Sequence, residues 1–383
     1  MADLSVVRRS SPAQRPRSGA PAARADGDVH APDALDEAAA RAFRLPFVPL
    51  LVALGTLVAV GLLSTAVGAA GLPVGGVITA LLDRVPLLGV ESTLSASEEA
   101  VLFSIRLPRL ALGAVVGGCL ALAGASFQGT FRNPLADPYL LGVSAGAGLG
   151  AVLALGFDLD LAVGPVSAVP AAAFCGALLA VAGSAVVSRG SFSDPATLLL
   201  AGVAMAALFS AAQTYAITQL TPDLARQVLS WLFGQLSTAG WDATLLVLPY
   251  LVVGGTVLLV HARHLDVLRL GDDEARALGL DPTRSRLVVV VAATLVTAAA
   301  VSVSGLIAFV GLVVPHLVRL LVGSSYRVVV PVSMIAGGAF LALVDVGART
   351  LVAPAELPVG VITAFIGAPF FALVLMTRRR GGV

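Results

Sequence analysis

The sequence contains no lysine; all 24 of its basic residues are arginine. A Walker A phosphate loop needs its lysine, so the chain is not a conventional nucleotide hydrolase. A lysine Schiff base of the retinal or pyridoxal-phosphate kind is excluded on the same ground. A GC-rich genome explains arginine in place of lysine most simply, and the exclusions hold either way. Charge of both signs is scarce: 12% of the chain is charged, against about 25% in a soluble globular protein. There are two cysteines, Cys119 and Cys175. Each lies in an apolar run far from a Cys or His partner, so both are expected to be small core residues, with no disulfide or metal site. The apolar runs hold no Ser/His, paired-Asp or HExxH arrangement, which argues against an intramembrane enzyme.

What is abundant is apolar surface. Hydrophobic residues make up 57% of the chain and the mean hydropathy is +0.94. Continuous apolar runs of about 20 residues predict transmembrane helices, and the absence of alternation argues against a β-barrel. The 40 glycines and 22 prolines fit helices that approach closely or break. The expected fold is an all-α polytopic membrane protein with about ten spans, near 46–70, 107–128, 139–157, 162–187, 197–219, 242–260, 286–303, 305–322, 331–352 and 357–376. The stretch 71–106 is too polar and broken to span, and Ser302-Val303-Ser304-Gly305 must turn tightly between the seventh and eighth spans. Residues 1–45, rich in Arg, Ala and Pro without an apolar period, read as a disordered cytoplasmic tail. A permease-like membrane domain follows over 46–377, and 378–383 form a second cytoplasmic tail. With both termini inside, the outer side holds Arg84, Arg106, Arg109, Arg226 and Arg349, leaving 19 of the 24 arginines on inner segments, as the positive-inside rule requires. Aligned without gaps, Gly124, Pro134 and Gly142 match Gly305, Pro315 and Gly323, each 181 positions on; an offset of five spans would make an inverted internal repeat, common in transporters. Leu72–Ala80 (LPVGGVITA) and Leu357–Ala364 (LPVGVITA) also resemble each other but do not fit that offset.

One polar island interrupts the second half of the chain, His261–Arg286, with five acidic residues and five arginines. Asp272–Leu280 is helix-friendly, and Asp281-Pro282 reads as its stop. A charged helix between two spans is costly to keep unless something outside the membrane reads it, which implies a soluble driving partner. Within the spans, ionisable side chains are few. Asp345 precedes Arg349 by four residues, the favourable order for a helix ion pair, which neutralises the obvious carboxylate for ion coupling. His316, after Pro315, reads as structural. The Gly-rich Leu141–Gly150 follows no strand, so it reads as a close helix-packing surface and not a phosphate cradle.

Four stretches carry a resemblance: Leu107–Ala151, Gly305–Pro331, Leu270–Leu280 and Glu356–Leu375. Together they closely resemble the permease subunits of bacterial importers for iron-siderophores, haem and vitamin B12, the FecCD/BtuC type of ATP-binding-cassette (ABC) permease. The likeness runs in register from about residue 50 onward; the N-terminal tail falls outside it. It implies a ten-span permease in the bacterial cytoplasmic (inner) membrane, paired with a second permease copy or a sister permease around a central path. It also implies two ATPase subunits on the cytoplasmic face, carrying the ATP and Mg, and an extracytoplasmic substrate-binding protein on the other. No cofactor is expected on this chain, and no nucleic acid among its partners beside membrane lipid.

Residue by residue, the resemblance places the ATPase-coupling helix at Gly271–Leu280, centred on Glu274, Ala275, Arg276, Ala277, Leu278 and Gly279. Small Ala and Gly on one side would dock closely, with Glu274 and Arg276 at the rim. It places binding-protein docking at Arg106, Arg109 and Arg349, exposed on the outer face where arginine–carboxylate pairs give direction. Pro108 would start the second span there, in a first turn that has no use for its missing N–H. A cytoplasmic gate is expected at Ser193, Asp194, Pro195, Ala196 and Thr197. An apolar translocation path is expected along the fifth and tenth spans, with Met205, Ser210, Gln213 and Thr214 as candidate liners. The cargo implied is a metal chelate, with a ferric siderophore preferred over haem or vitamin B12. An ion-coupled secondary transporter is the alternative from another class, disfavoured by the near-absence of membrane carboxylates.

Overall fold

A computed structural model describes residues 47–68, 71–86, 88–157, 167–190, 192, 194–237 and 240–380. The expected tail 1–45, residues 381–383 and Ser193 of the expected gate lie outside the described residues. Every regular element among those described is helical.

The chain opens with α1 (Phe47–Ala66) and a short α2 (Val74–Asp83). Next come α3 (Ala96–Val101), a π-helical turn (Leu102–Arg106) and α4 (Leu107–Thr130), which run on as one helix of 35 residues from Ala96 to Thr130. The expected start at Leu107 is therefore corrected: the helix begins at Ser95, whose hydroxyl accepts from the Glu98 N–H while Glu98 returns a bond to the Ser95 N–H. This Ser-x-x-Glu capping box was the legible signal. Pro108, inside the long helix, is accommodated because the preceding turn widens so that Leu107 N–H bonds to Leu102 O.

Pro138–Leu141 form a 3-10 turn into α5 (Val143–Gly156). There follow α6 (Ala168–Val187), α7 (Pro195–Thr218), the surface helix α8 (Pro222–Leu232), α9 (Trp241–Leu268), the short α10 (Asp272–Ala277), α11 (Pro282–Ser304), α12 (Val310–Val322), α13 (Tyr326–Thr350) and α14 (Val359–Arg380). Among the described residues, seven helices are long and apolar enough to cross a membrane. The remaining three expected spans coincide with the shorter apolar helices Val143–Gly156, Val310–Val322 and Val359–Val374. The turn after α11 is longer than expected: α11 stops at Ser304, and Gly305–Phe309 are non-helical before α12.

The offset of 181 does not pair equivalent places. Gly124 lies inside α4 whereas Gly305 ends α11, and Pro134 lies in a loop whereas Pro315 lies inside α12. A different recurrence is present. Counted as whole helices, with α14 taken through to Arg380, α4–α7 run to 24, 14, 20 and 24 residues and α11–α14 to 23, 13, 25 and 22. The two LPVG stretches have a local cause: Pro73 and Pro358 each immediately precede the first residue of a helix, where a missing N–H costs nothing.

α4 and α11 are the most enclosed long helices and α13 packs along α4, while α1 and α7 turn most of their surface outward. Small residues set the closest approaches, as in membrane bundles. A Cβ on Gly117 of α4 would lie 2.2 Å from the Gly337 carbonyl oxygen of α13, and one on Gly146 of α5 would lie 2.2 Å from the Gly176 oxygen of α6. The glycine-rich stretch before Gly150 is thus a helix-packing surface. Gly146→Leu is expected to destabilise the protein by about 1–3 kcal/mol or more. Gly55→Ala, where nothing lies within 4 Å of the added carbon, should be neutral in the same detergent thermal melts; equal melts would show that close approach at Gly146 is not limiting. Cys119 is buried in α4 as expected, but Cys175 is exposed on α6, because that helix keeps a face free of the rest of the chain.

Candidate coupling and docking sites

α4 has 24 residues, so at 1.5 Å per residue it spans about 36 Å, close to the roughly 30 Å of a hydrocarbon core. A cluster of charged groups lies at each of its ends.

At the α4 start, two arginines, Arg109 and Arg349, converge on one buried carboxylate, Asp345, and Arg106 lines the same cavity. Arg109 Nε donates to both Asp345 oxygens at 2.9 and 3.1 Å, and its Nη2 lies 2.8 Å from Oδ1. Arg349 Nε donates to Asp345 Oδ2 at 3.1 Å, the expected i, i+4 pair. Arg109 is also gripped by Glu356, from the segment before α14, at 3.0 Å through each terminal nitrogen. Arg106 Nη1 donates to Thr65 O, and Arg349 donates to Val67 O at 3.1 Å and to Ser64 O and Oγ at 3.1 and 3.0 Å. Two guanidiniums thereby satisfy carbonyls that α1 leaves open at its C-terminus. The expectation that Arg106, Arg109 and Arg349 stand exposed is corrected: the first two are 7% and 9% exposed and the Arg349 side chain is 11% exposed. Charges this close to the bilayer are satisfied internally before they meet a partner. An open cavity of about 450 Å³ still reaches them, with Glu356 at its wall. Glu356, Ser64 and Thr65 were not read as site residues, since single polar residues beside helix ends carry no pattern.

The far end of α4 meets the polar island. Asp272, the first residue of α10, takes Arg286 Nη1 on Oδ2 at 2.9 Å and Arg286 Nη2 on Oδ1 at 2.5 Å, while Arg132, just beyond α4, reaches the same Oδ1. The hydrogen bonds from Arg286, and then the neighbouring guanidinium charges, hold the Asp272 carboxyl below its usual range. α10 is shorter than expected and ends at Ala277. Leu280 N–H bonds to Ala275 O and Gly279 N–H to Arg276 O, both at 2.9 Å, with Gly279 left-handed at φ 81°. This is a Schellman stop. Asp281-Pro282, expected as the stop, instead starts α11: Asp281 accepts from the N–H groups of Thr283 and Arg284 at 3.0 and 3.2 Å.

The faces of α10 also differ from expectation. Ala275 is fully buried against its own chain, whereas Asp273, Glu274, Arg276, Ala277, Leu278 and Gly279 are exposed, Leu278 at 65%. Arg276 pairs with Asp273 at 2.9 Å. Gly271, at φ 134°, leaves room for Glu274 to fold back; a Cβ there would fall 2.0 Å from Glu274 Oε2. Next to α10, Asp266 near the end of α9 accepts from Ser325 Oγ and Tyr326 N–H, each at 2.7 Å, and so caps α13.

The expected gate lies at the start of α7. Asp194 caps that helix, accepting from Ala196 N–H at 3.1 Å and from the Thr197 hydroxyl, with Pro195 in the first position. Of the candidate liners, Ser210 and Thr214 sit on the exposed face, and Thr214 donates back to Ser210 O at 2.9 Å. Met205 and Gln213 are half-buried and lean onto Gly183 of α6 and Gly148 of α5, since a long side chain seeks the groove that a glycine leaves. His316 stacks edge-on against Phe370 of α14 at 5.7 Å.

The sequence profile described as the FecCD transport family matches residues 56–377. The cobalamin import system permease protein BtuC of Halobacterium salinarum is 45% identical over 73% of this chain and 74% of its own length. The hemin transport system permease protein HmuU of Yersinia pestis is 42% identical over 72% of this chain and 83% of its own. A solved ABC transporter of the metal-chelate type, in an inward-facing conformation, superposes with a TM-score of 0.73 at 31% identity, covering 86% of this chain and 98% of that one. A many-helix apolar bundle with a charged cluster at each end of its central helix, matched over this length, belongs to the FecCD transport family of ABC importer permeases.

Proposed function

We propose that this chain is the membrane-spanning subunit of an ABC importer that passes a metal chelate, a ferric siderophore, across the bacterial cytoplasmic membrane. Haem and cobalamin are the alternatives within the family. The observation that carries the reading is the polar helix α10, which presents Asp273, Arg276 and Leu278 outward at the end of α4 opposite the arginine cluster. In this reading α10 takes an ATPase subunit, and the cavity at Arg106, Arg109 and Arg349 takes an acidic lobe of a binding protein. Asp194–Thr197 gate the inner mouth, and the exposed faces of α7 and α14, with Leu208 61% and Phe365 77% exposed, meet a second permease and line the path. Both termini then lie in the cytoplasm. Asp345, held between Arg109 and Arg349, is not placed to carry a coupling ion, which disfavours secondary transport.

The test is uptake into proteoliposomes holding the permease and its ATPase, with the binding protein added. A radio-iron hydroxamate complex is expected to accumulate only with ATP. Uptake driven by an ion gradient without the ATPase would overturn the reading, and accumulation of cobalamin or haem but not the iron complex would overturn the siderophore assignment.

A further inference from the structure

We propose that Asp272 is a positioning residue that ties the coupling helix α10 to α4 and α11, so that displacement of α10 by the ATPase moves both helices. The inference rests on the ABC-importer reading above. The geometry is a three-way joint. Arg286, in the first turns of α11, has a side chain only 1% exposed, and its guanidinium meets Asp272 through both terminal nitrogens, at 2.9 and 2.5 Å. Its Nε finds no acceptor, so the carboxylate is what compensates this buried charge. Arg132, left-handed at φ 51° just past the end of α4, shares Asp272 Oδ1 from the other side. The buried side chain within α10 is Ala275, whose methyl group offers the core an apolar contact only.

The carboxylate is therefore the directional link between α10 and two central helices. A bidentate arginine pair resists both translation and twist, as a single apolar contact does not. α4 then runs unbroken to Arg109, whose bonds to Asp345 and Glu356 lie at the other end of the bundle. Motion entering at Asp272 thus reaches the arginine cavity through one packed helix, a physical two-ended connection of the kind that transmits coupling.

The test separates positioning from mere support. Asp272→Asn leaves Arg286 buried beside a neutral amide and could fail to fold. Arg132→Gln removes only the α4 arm, at a side chain 37% exposed, and keeps the Asp272–Arg286 pair. Complete transporters carrying Arg132→Gln, Arg132→Lys, or the distant surface control Asp223→Asn are compared for ATPase content, ATP hydrolysis and chelate uptake. For Arg132→Gln the subunit content and hydrolysis rate are expected to hold while chelate moved per ATP falls about tenfold, with Arg132→Lys recovering much of the loss. An unchanged ratio in Arg132→Gln overturns the proposal. Uptake and hydrolysis falling in parallel with loss of ATPase from the complex also overturns it, because the joint would then be a support only. Wild-type vesicles with no ATP-driven uptake would overturn the importer reading as well, whereas a normal wild type with an indifferent Arg132→Gln removes this inference alone.

Discussion

Asp345→Asn is expected to destabilise the folded protein by about 3–5 kcal/mol, the cost of removing one partner from a buried ion network. Asp345 is 2% exposed and takes Arg109 and Arg349 at 2.8–3.1 Å. An asparagine would leave two guanidiniums sharing Glu356, whose side chain is 41% exposed and screened accordingly. The damage should spread beyond the pair, because Arg349 also holds the Ser64 and Val67 carbonyls at the end of α1. Thermal unfolding in detergent measures it, and the double variant Asp345→Asn with Arg109→Met should recover part of the loss by removing one stranded charge. A single variant that melts with the wild type would mean that solvent, and not Asp345, compensates these arginines.

The same network explains why charge reversal is a poor probe of docking here. A glutamate at position 109 would face Asp345 and Glu356 at once, so the fold would suffer before any partner was consulted. Salt dependence of binding-protein affinity is the cleaner readout, since it leaves the sequence unchanged and screens exposed intermolecular pairs far more than buried ones.

What was legible in the sequence follows from range. Span positions rest on runs of about 20 apolar residues, so α1, α4, α6, α7, α9, α11 and α13 could be placed from composition alone. The i, i+4 pair of Asp345 and Arg349 is local and was visible; Arg109, 236 positions from Asp345, was not, because no periodicity links them. The same holds for Arg132 and Asp272, 140 positions apart. Pro108 misled in the opposite way. A proline usually opens a helix, but here a π turn absorbs it, and Ser95 with Glu98 sets the true start. On α10 the residue types were legible but the facing was not. A helix of six residues has too few turns to show a stripe, so Ala275 read as part of the outward face when it is the buried anchor. The half-buried seats of Met205 and Gln213 were hidden for a related reason: the glycines they lean on, Gly183 and Gly148, lie on other helices.

Leu278→Asp is expected to weaken ATPase docking by about 2 kcal/mol or more, the scale of an interface anchor, or at least about thirtyfold in affinity. Leu278 is the large apolar side chain of the α10 turn, 65% exposed at the C-terminal end of the helix. Its backbone is held by the hydrogen bond to Glu274 O at 3.0 Å, so docking has to order the side chain but not the turn that carries it. Arg276→Glu should do less. Its charge is already shared with Asp273, and a rim pair is worth about 0.2–1 kcal/mol, although the new carboxylate would add repulsion beside Asp273. Glu274→Lys would act mainly on the helix itself, since that carboxylate folds back beside Gly271. The measurement is co-purification of the ATPase with detergent-solubilised permease at low and high salt. The Arg276→Glu deficit should depend on salt, and the Leu278→Asp deficit should remain at both. ATPase retained by Leu278→Asp at undiminished yield, with normal uptake, would place the contact elsewhere on the polar island.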